Sequence, residues 1–246
     1  NVDTDGTFKA DPNSAVPAVG VIRALDIFKI WGYGYGQRTS SARYYSSASS
    51  DDCRFQLPGL EGKEGECASW GNPMSELYGE TIRYLAGLTP NSAFAANDNS
   101  YVGGLKEDDW PPEGDPDDPA HFLNEDNFCA GLNVVMINSS LNSYDGDTSF
   151  FTDIGSPDPS DLTDIIGDEE GITGGNYLVG RVGAASDPGN DELCTSKVGT
   201  GLGDVAGACP EGPTLDGTYH LAGMAHYAHT EDIRPNLTGQ QKVTTY

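Results

Sequence analysis

The chain has 246 residues, of which 38 are acidic and 13 basic, so its formal net charge is −25 and its sequence pI is about 4.1. A field of this sign repels nucleic acid and anionic lipid headgroups, which excludes both as expected partners. No stretch approaches the roughly 18 consecutive apolar residues of a membrane span, so no direct membrane insertion is expected. The 32 Gly and 15 Pro indicate a loop-rich fold with few regular elements.

The first predicted element is a helix in the stretch "GVIRALDIFKIWGYG". Val21, Ile22, Leu25 and Phe28 form one apolar face at helical spacing, and Gly32 is a residue type that ends helices. The Tyr- and Ser-rich run that follows has no helical period and predicts an exposed loop.

The clearest helix signals are in "WGNPMSELYGETIRYLAG". Asn72 is predicted as the N-cap, Pro73 as the first helical residue and Gly87 as the end. One apolar stripe, which needs a partner surface, is predicted to face inward: Met74, Leu77, Tyr78, Ile82 and Leu85.

The same helix carries charged residues in the order that the helix dipole favours. Glu76 and Glu80 lie in its first half and Arg83 in its last turn. These side chains either are solvated or anchor neighbouring loops.

The next predicted element is a strand, "LNVVMIN" at Leu132–Asn138, a short apolar run typical of a central strand in an α/β sheet. Ligands bind at the carboxyl end of such strands, where this chain has hard oxygen ligands that suit calcium. The candidate metal ligands are Asn138, Ser140, Asp145 and Asp147. The alternative is a solvated turn whose side chains satisfy local backbone groups.

Three further elements are predicted towards the end of the chain. Tyr177–Val182 follows a polar connection and is either a helix or a strand. The stretch "GTYHLAGMAHYAHTEDIRP" predicts a helix closed by Pro235. Its apolar face consists of Leu221, Met224, Ala225 and Ala228. The final "KVTTY" predicts a strand.

Enzymatic motifs are weak. His226 and His229 are three residues apart beside Glu231 and Asp232, without the internal glutamate of zinc proteases. These residues are either structural or part of a hydrolase site. The stretch "GTGLGDVAG" lacks the lysine of a phosphate-binding loop.

The five cysteines indicate export, because disulfides form in oxidising compartments. Local disulfides are predicted between Cys53 and Cys67 and between Cys194 and Cys209, each worth about 3 kcal/mol in the chain-entropy model. Cys129 is then either a buried thiol or paired outside this chain. Because the chain starts without Met and without a signal peptide, we expect a mature or internal piece of a longer exported polypeptide.

Three segments together resemble the PilC/PilY family of type IV pilus tip and assembly proteins: "GNPMSELYGETIRYLAG", "CTSKVGTGLGDVAGACPEGPTLDGTYHLAGMAHYAHTEDIRP" and "LTGQQKVTTY". They occur in the family's order and cover most of residues 70–246. The resemblance implies a von Willebrand A-like α/β domain over residues 1–232, with a Rossmann-type sheet and flanking helices. It also implies a lead-in strand to a β-propeller over residues 233–246.

The resulting hypothesis is a non-enzymatic protein of the type IV pilus tip, exported to the cell surface, that acts in adhesion and pilus assembly. Its expected partners are major or minor pilins at the fibre tip and a host or abiotic surface. One alternative is a calcium-dependent structural module of an extracellular fibre. The other is a secreted hydrolase that uses His226 and His229.

Overall fold

The computed structural model describes five stretches of the chain: residues 72–93, 123–138, 141–184, 186–210 and 212–246. They all belong to one of the chain's two compact units, Gly71–Phe94 together with Trp110–Tyr246. The predicted helix near residues 21–31, the predicted Cys53–Cys67 disulfide and the candidate ligand Ser140 lie outside the described residues.

The described elements are helices and short strands in mixed order. In chain order they are α1 (Met74–Ala86), β1 (Leu132–Val134), a 3₁₀-helix (Ser149–Ile154), α2 (Pro159–Glu169), β2 (Asn176–Val182), β3 (Thr195–Val198), β4 (Val205–Ala208), α3 (His220–Thr230) and β5 (Val243–Thr245). This confirms the predicted mixed α/β class. None of these described helices combines the length and the apolar character needed to cross a membrane.

The described strands form two separate sheets. Strand β1 pairs in parallel with β5, with Leu132 opposite Val243. Strand β2 lies between β3 and β4 and is antiparallel to both. Within the described residues the parallel pairing is thus limited to two strands. A von Willebrand A-like sheet for the whole domain stays a prediction.

The prediction of a central strand over Leu132–Asn138 is wrong in its length and its burial. The strand has three residues, and Val135 and Ile137 beyond it are 69% and 91% exposed. Met136 packs against the core instead, so the apolar run alternates between the core and solvent. Only one face of this segment is therefore buried, whereas a central strand is buried on both.

One hydrophobic core joins α1, α2, α3, the 3₁₀-helix and the β1–β5 pair. Its buried members are Tyr78, Ile82, Leu123, Leu132, Phe151, Leu162, Met224, Ala228, Ile233, Leu237 and Val243. The last three of these come from residues 233–246, which thus pack on the same core as the preceding helices. The domain boundary at residue 232 and the propeller lead-in stay predictions.

The start of α1 differs from the prediction by one residue. Pro73 has φ −82° and ψ 65°, outside the helical region, and the helix begins at Met74 without a side-chain cap. Asn72 is not the N-cap, because its backbone pairs with Ser143 and its Nδ2 donates to the carbonyl of Leu141 at 2.9 Å. Gly87 ends the helix as predicted, with φ 76°.

The buried face of α1 is also rotated from the predicted stripe. Met74, Tyr78 and Ile82 are buried, but Leu77 is 57% exposed. At about 100° per residue, Leu77 lies roughly 60° outside the edge of the buried arc. The remaining buried members of this face are polar or small: Ser75, Gly79 and Arg83. The prediction erred because it counted only apolar residues as inward-facing.

Helix α2 was missed by the sequence analysis, although its start has a clear signal. The Asp158 Oδ1 accepts from the Ser160 N–H at 2.9 Å, and Pro159 is the first helical residue. The segment Tyr177–Val182 is resolved as a strand within β2. Its Gly180 lies against the backbone of Pro213, where any added Cβ would collide.

Helix α3 was predicted, but it ends earlier than Pro235. Met224 and Ala228 are fully buried, and Leu221 and Ala225 pack at the edge of the core. The helix stops at Thr230 because Glu231 has an extended backbone, with φ −103° and ψ 160°. A local turn follows, in which the Asp232 Oδ1 accepts from the N–H of Arg234 at 3.0 Å.

Candidate functional site

The predicted calcium loop is joined to the first turn of α1 by a buried carboxylate. Asp145 is fully buried, and its Oδ2 accepts from the Ser75 Oγ at 2.8 Å. Its Oδ1 accepts from the backbone N–H of Thr218 at 2.6 Å. Because buried carboxylates need such donors, Asp145 ties three chain segments together.

The other candidate ligands are more exposed. The N–H of Asp147 donates to the Glu76 Oε1 at 3.2 Å. Asn138 is exposed and accepts from the Asn72 Nδ2 at 3.0 Å through its Oδ1. Across the described stretches, no group of three or more His, Cys, Asp or Glu side chains is placed so that it could hold a metal ion. Calcium binding therefore stays a prediction.

Glu76 is held in an unfavourable electrostatic position. Partial burial raises its pKa above the usual 4.5, and the carboxylates of Asp147 and Asp145 raise it further. The hydrogen bond from the Asp147 N–H opposes these effects but does not cancel them. The first turn of α1 thus concentrates negative charge near the predicted calcium loop.

Arg83 joins the other end of α1 to its surroundings. This buried guanidinium donates through Nη1 to the Asp153 Oδ2 at 2.6 Å and through Nη2 to the Thr89 carbonyl at 2.8 Å. Its Nε lies 3.2 Å from the Glu80 Oε1, and Glu80 in turn accepts from the N–H of Asn91. The structure places Glu76, Glu80 and Arg83 in contact with neighbouring loops rather than in bulk water.

A second buried cation organises the hairpin between β2 and β3. The Nζ of Lys197 is within 3.0 Å of the Asp191 Oδ1 and of the carbonyls of Val179 and Leu193. The hydrogen bond from Lys197 is the main reason why the pKa of Asp191 falls from 3.8 to about 2. Lys197 therefore holds this acidic loop against the sheet.

The predicted disulfide joins this hairpin to the end of β4. Cys194 and Cys209 are bonded, with their Cα atoms 5.7 Å apart. Cys129 is a free, exposed cysteine, so the prediction of a buried thiol is wrong. It lies in a surface turn that precedes β1, and its pairing outside this chain stays a prediction.

The histidines of the hydrolase alternative are at the surface. His226 and His229 are both exposed, and the His229 Nδ1 lies 3.3 Å from the carbonyl oxygen of Val243. Both lie on α3, and neither lines the cavity described below.

A glycine loop that the sequence analysis set aside is held from two sides. The N–H of Gly203 donates to the Asp164 Oδ1 at 2.7 Å, and its carbonyl oxygen is 3.0 Å from the His220 Nε2. Because a carbonyl only accepts, this nitrogen carries the proton, and the His220 Nδ1 accepts from the Thr148 hydroxyl at 2.7 Å. The loop over residues 199–204 is therefore rigidly positioned.

This loop borders an apolar cavity of about 310 Å³. Its lining comes from the segment after α2, β2, the glycine loop, the start of β4 and the residue before α3: Ile172, Tyr177, Leu178, Val179, Gly199, Gly201, Leu202, Val205 and Tyr219. The sequence analysis missed the cavity, because it tested "GTGLGDVAG" only as a phosphate loop. The glycines beside apolar residues in this stretch were the sequence signal that could have indicated the cavity.

The described residues define a class of scaffold domain, in which buried polar side chains and a disulfide hold acidic loops on one small core. Comparison with known proteins makes the assignment specific. The family model described as "PilY1 homolog, second domain" matches residues 1–228, and the chain belongs to this family. The resemblance to the pilus-protein family is thereby confirmed.

A curated relative is the type IV pilus biogenesis factor PilY1 homolog of Xylella fastidiosa (strain Temecula1). It is 27% identical over 243 residues, which cover 92% of this chain and 15% of the relative. The chain thus spans a small part of the length of the relative that it matches. No solved structure matches the chain.

Proposed function

We propose that this domain is a non-enzymatic binding module of a type IV pilus tip-associated protein, exported to the cell surface. The module contributes to pilus assembly and to adhesion by contacting pilins at the fibre tip and a host or abiotic surface. Family membership over residues 1–228 is the observation that carries the proposal. A von Willebrand A-like fold for the complete domain is part of the same proposal.

The polar contacts of the scaffold support a binding role. Asp145, Arg83 and Lys197 are buried side chains, and each fixes a loop to the core through hydrogen bonds. Fixed loops lose little conformational entropy when a partner binds, which favours recognition. The Cys194–Cys209 disulfide limits local unfolding of the acidic hairpin outside the cell.

The test is an in-frame deletion of the codons for residues 72–246 in the gene that encodes this chain. We expect fewer surface pili by electron microscopy and lower adherence to plastic, with export of the shortened protein verified by immunoblot. A Cys129→Ser gene serves as the matched control and should restore both. Unchanged pilus number and adherence with the exported, shortened protein would contradict the proposal.

The two alternatives have direct tests. If calcium binds at Asn138, Ser140, Asp145 and Asp147, saturating calcium must raise the Tm, since a ligand bound only by the native state stabilises it. An Asp147→Asn variant should lose that rise, and a Tm indifferent to calcium and chelator contradicts the site. The hydrolase alternative predicts a hydrolytic activity that His229→Ala abolishes.

A further inference from the structure

We propose that the apolar cavity beside the glycine loop is a docking site for a partner polypeptide. The occupant is one aromatic or aliphatic side chain that is flanked by lysine or arginine in the partner. This inference rests on the proposed function only in taking the partner to be a polypeptide. Three features of the site support it: the apolar lining, the fixed position of the glycine loop and the charges around the cavity.

The lining has the size and chemistry to take a side chain. A volume of about 310 Å³ is at the lower end of the range of ligand pockets, roughly 300 Å³ and upward. Tyr177 and Tyr219 supply aromatic surface and remain 39% and 43% exposed, and Leu178 is 61% exposed. Covering these surfaces removes apolar area from water, which favours association.

The glycine loop forms a wall that exists before any partner arrives. Gly203 is bonded on its N–H side by Asp164 and on its carbonyl side by His220. An added Cβ on Gly203 would collide with the backbone of Ser160, and one on Gly201 would collide with the carboxylate of Asp164. Because the loop is already fixed, ordering it on binding costs little conformational entropy.

The charges around the cavity select a basic partner. The cations on strands β2 and β3 are already paired, Arg181 with Asp216 and Lys197 with Asp191. Carboxylates flank the lining in sequence without such cations: Asp168, Glu169 and Glu170 lead to Ile172, and Asp204 precedes Val205. All four are exposed. A partner with positive charge beside its apolar side chain therefore complements the site.

The test uses the ¹⁵N-labelled chain of 246 residues and three short peptides. The probe is acetyl-Lys-Phe-Lys-amide, and the matched controls are acetyl-Glu-Phe-Glu-amide and acetyl-Lys-Ala-Lys-amide. We expect amide shifts in residues 199–205 and in Tyr177, with an affinity at least about tenfold higher than for either control, equivalent to about 1.4 kcal/mol. Added salt should weaken the binding.

Two variants locate the interaction. Gly199→Leu fills the cavity, since its Cβ would lie 3.6 Å from the Tyr177 Cδ2 and 4.0 Å from the Val205 Cγ2, which are ordinary contacts. It should weaken the probe about tenfold. Gly131→Leu is the matched control, because it adds the same side chain at an exposed glycine away from the cavity. Should Gly199→Leu fail to fold, Tyr219→Ala removes one aromatic wall and should weaken the probe about fivefold.

Three results would overturn the docking site. They are equal binding of all three peptides, which indicates selection neither for the apolar side chain nor for charge, an absence of binding, and unchanged binding by the folded cavity variants. None of these outcomes changes the result expected in the pilus assay of the proposed function. Loss of pili on domain deletion without peptide binding would remove the docking site but retain the proposed function.

Discussion

The hydroxyl of Ser75 donates to the carboxylate of Asp145 across 2.8 Å, although the two residues are 70 positions apart in the chain. Both are fully buried. This hydrogen bond connects the first turn of α1 to the loop in which calcium ligands are predicted. Asp145 therefore acts as a structural hydrogen-bond acceptor in the described fold, and removing its donor tests that role.

Replacing Ser75 by alanine should lower the free energy of unfolding by about 2 kcal/mol, because a buried carboxylate loses a donor. Thermal unfolding followed by circular dichroism measures the loss. Thr81→Ala on the same helix is the control, since its exposed hydroxyl donates only to the carbonyl of Leu77. The control should change stability by less than about 0.5 kcal/mol. Equal effects of both substitutions would contradict the assignment.

Replacing Arg83 by methionine should lower the free energy of unfolding by about 3 kcal/mol. Methionine fills much of the space but leaves the carbonyls of Phe150 and Thr89 without their donor. Urea unfolding measures the change. The matched control is Asp153→Asn, which should cost less than about 1 kcal/mol because the Asp153 side chain is 54% exposed. A near-neutral Arg83→Met would show that these contacts contribute little.

The Asp191–Lys197 pair should make stability fall in acid. The pKa of Asp191 is about 2 in the folded protein, against 3.8 for an unperturbed aspartate, so the unfolded state binds more protons between these pH values. The stabilisation is therefore fully present above pH 4 and is lost as pH falls towards 2. The urea midpoint of the parent chain, compared with Asp191→Asn at several pH values, isolates this dependence.

The difference between the two proteins should narrow as pH falls from about 4 to about 2. Asp126→Asn removes an exposed carboxylate elsewhere and serves as the control. Its urea midpoint should depend on pH as that of the parent does, because Asp191 is still present. A constant difference between parent and Asp191→Asn over this range would contradict the predicted pairing.

Glu76 should show the opposite dependence on pH. Its pKa is raised by burial and by nearby carboxylates, so the native state binds more protons than the unfolded state just above pH 4.5. The parent therefore loses stability as pH rises through this window. Glu76→Gln keeps an acceptor for the Asp147 N–H and should raise stability at pH 7 by up to about 1 kcal/mol. The gain should vanish below pH 4, and a gain that persists there argues against an electrostatic cause.

Removing the disulfide should lower the free energy of unfolding by about 3 kcal/mol, the chain-entropy value for a closed loop of about 15 residues. The variant is Cys194→Ser with Cys209→Ser, measured by thermal unfolding. Cys129→Ser is the control, because that cysteine is free and exposed. If the double variant unfolds at the parental temperature, the disulfide does not stabilise this hairpin.

Local signals in the sequence located α1, its end at Gly87 and the pairing of Cys194 with Cys209. These features depend on residues a few positions apart, or on a short loop, so their physics is contained in a short window. The family could also be identified from the sequence, since its motifs occur in order along the chain.

The inward direction of Ser75 and Arg83 could not be predicted in the same way. A polar residue on a helix faces the core only when a distant segment supplies its partner, and here the partners Asp145 and Asp153 are 70 positions away. The exposure of Leu77 follows from the same rotation of the helix.

By itself, the sequence determined the local elements, the family and the acidic character of this protein. Only the tertiary structure decided which carboxylates are buried as acceptors, and that Asp164 and His220 hold Gly203 in the loop that borders a cavity. The reason is that hydrogen bonds and packing over long sequence separations depend on the arrangement of all the elements at once, whereas helix periodicity and capping depend on near neighbours alone.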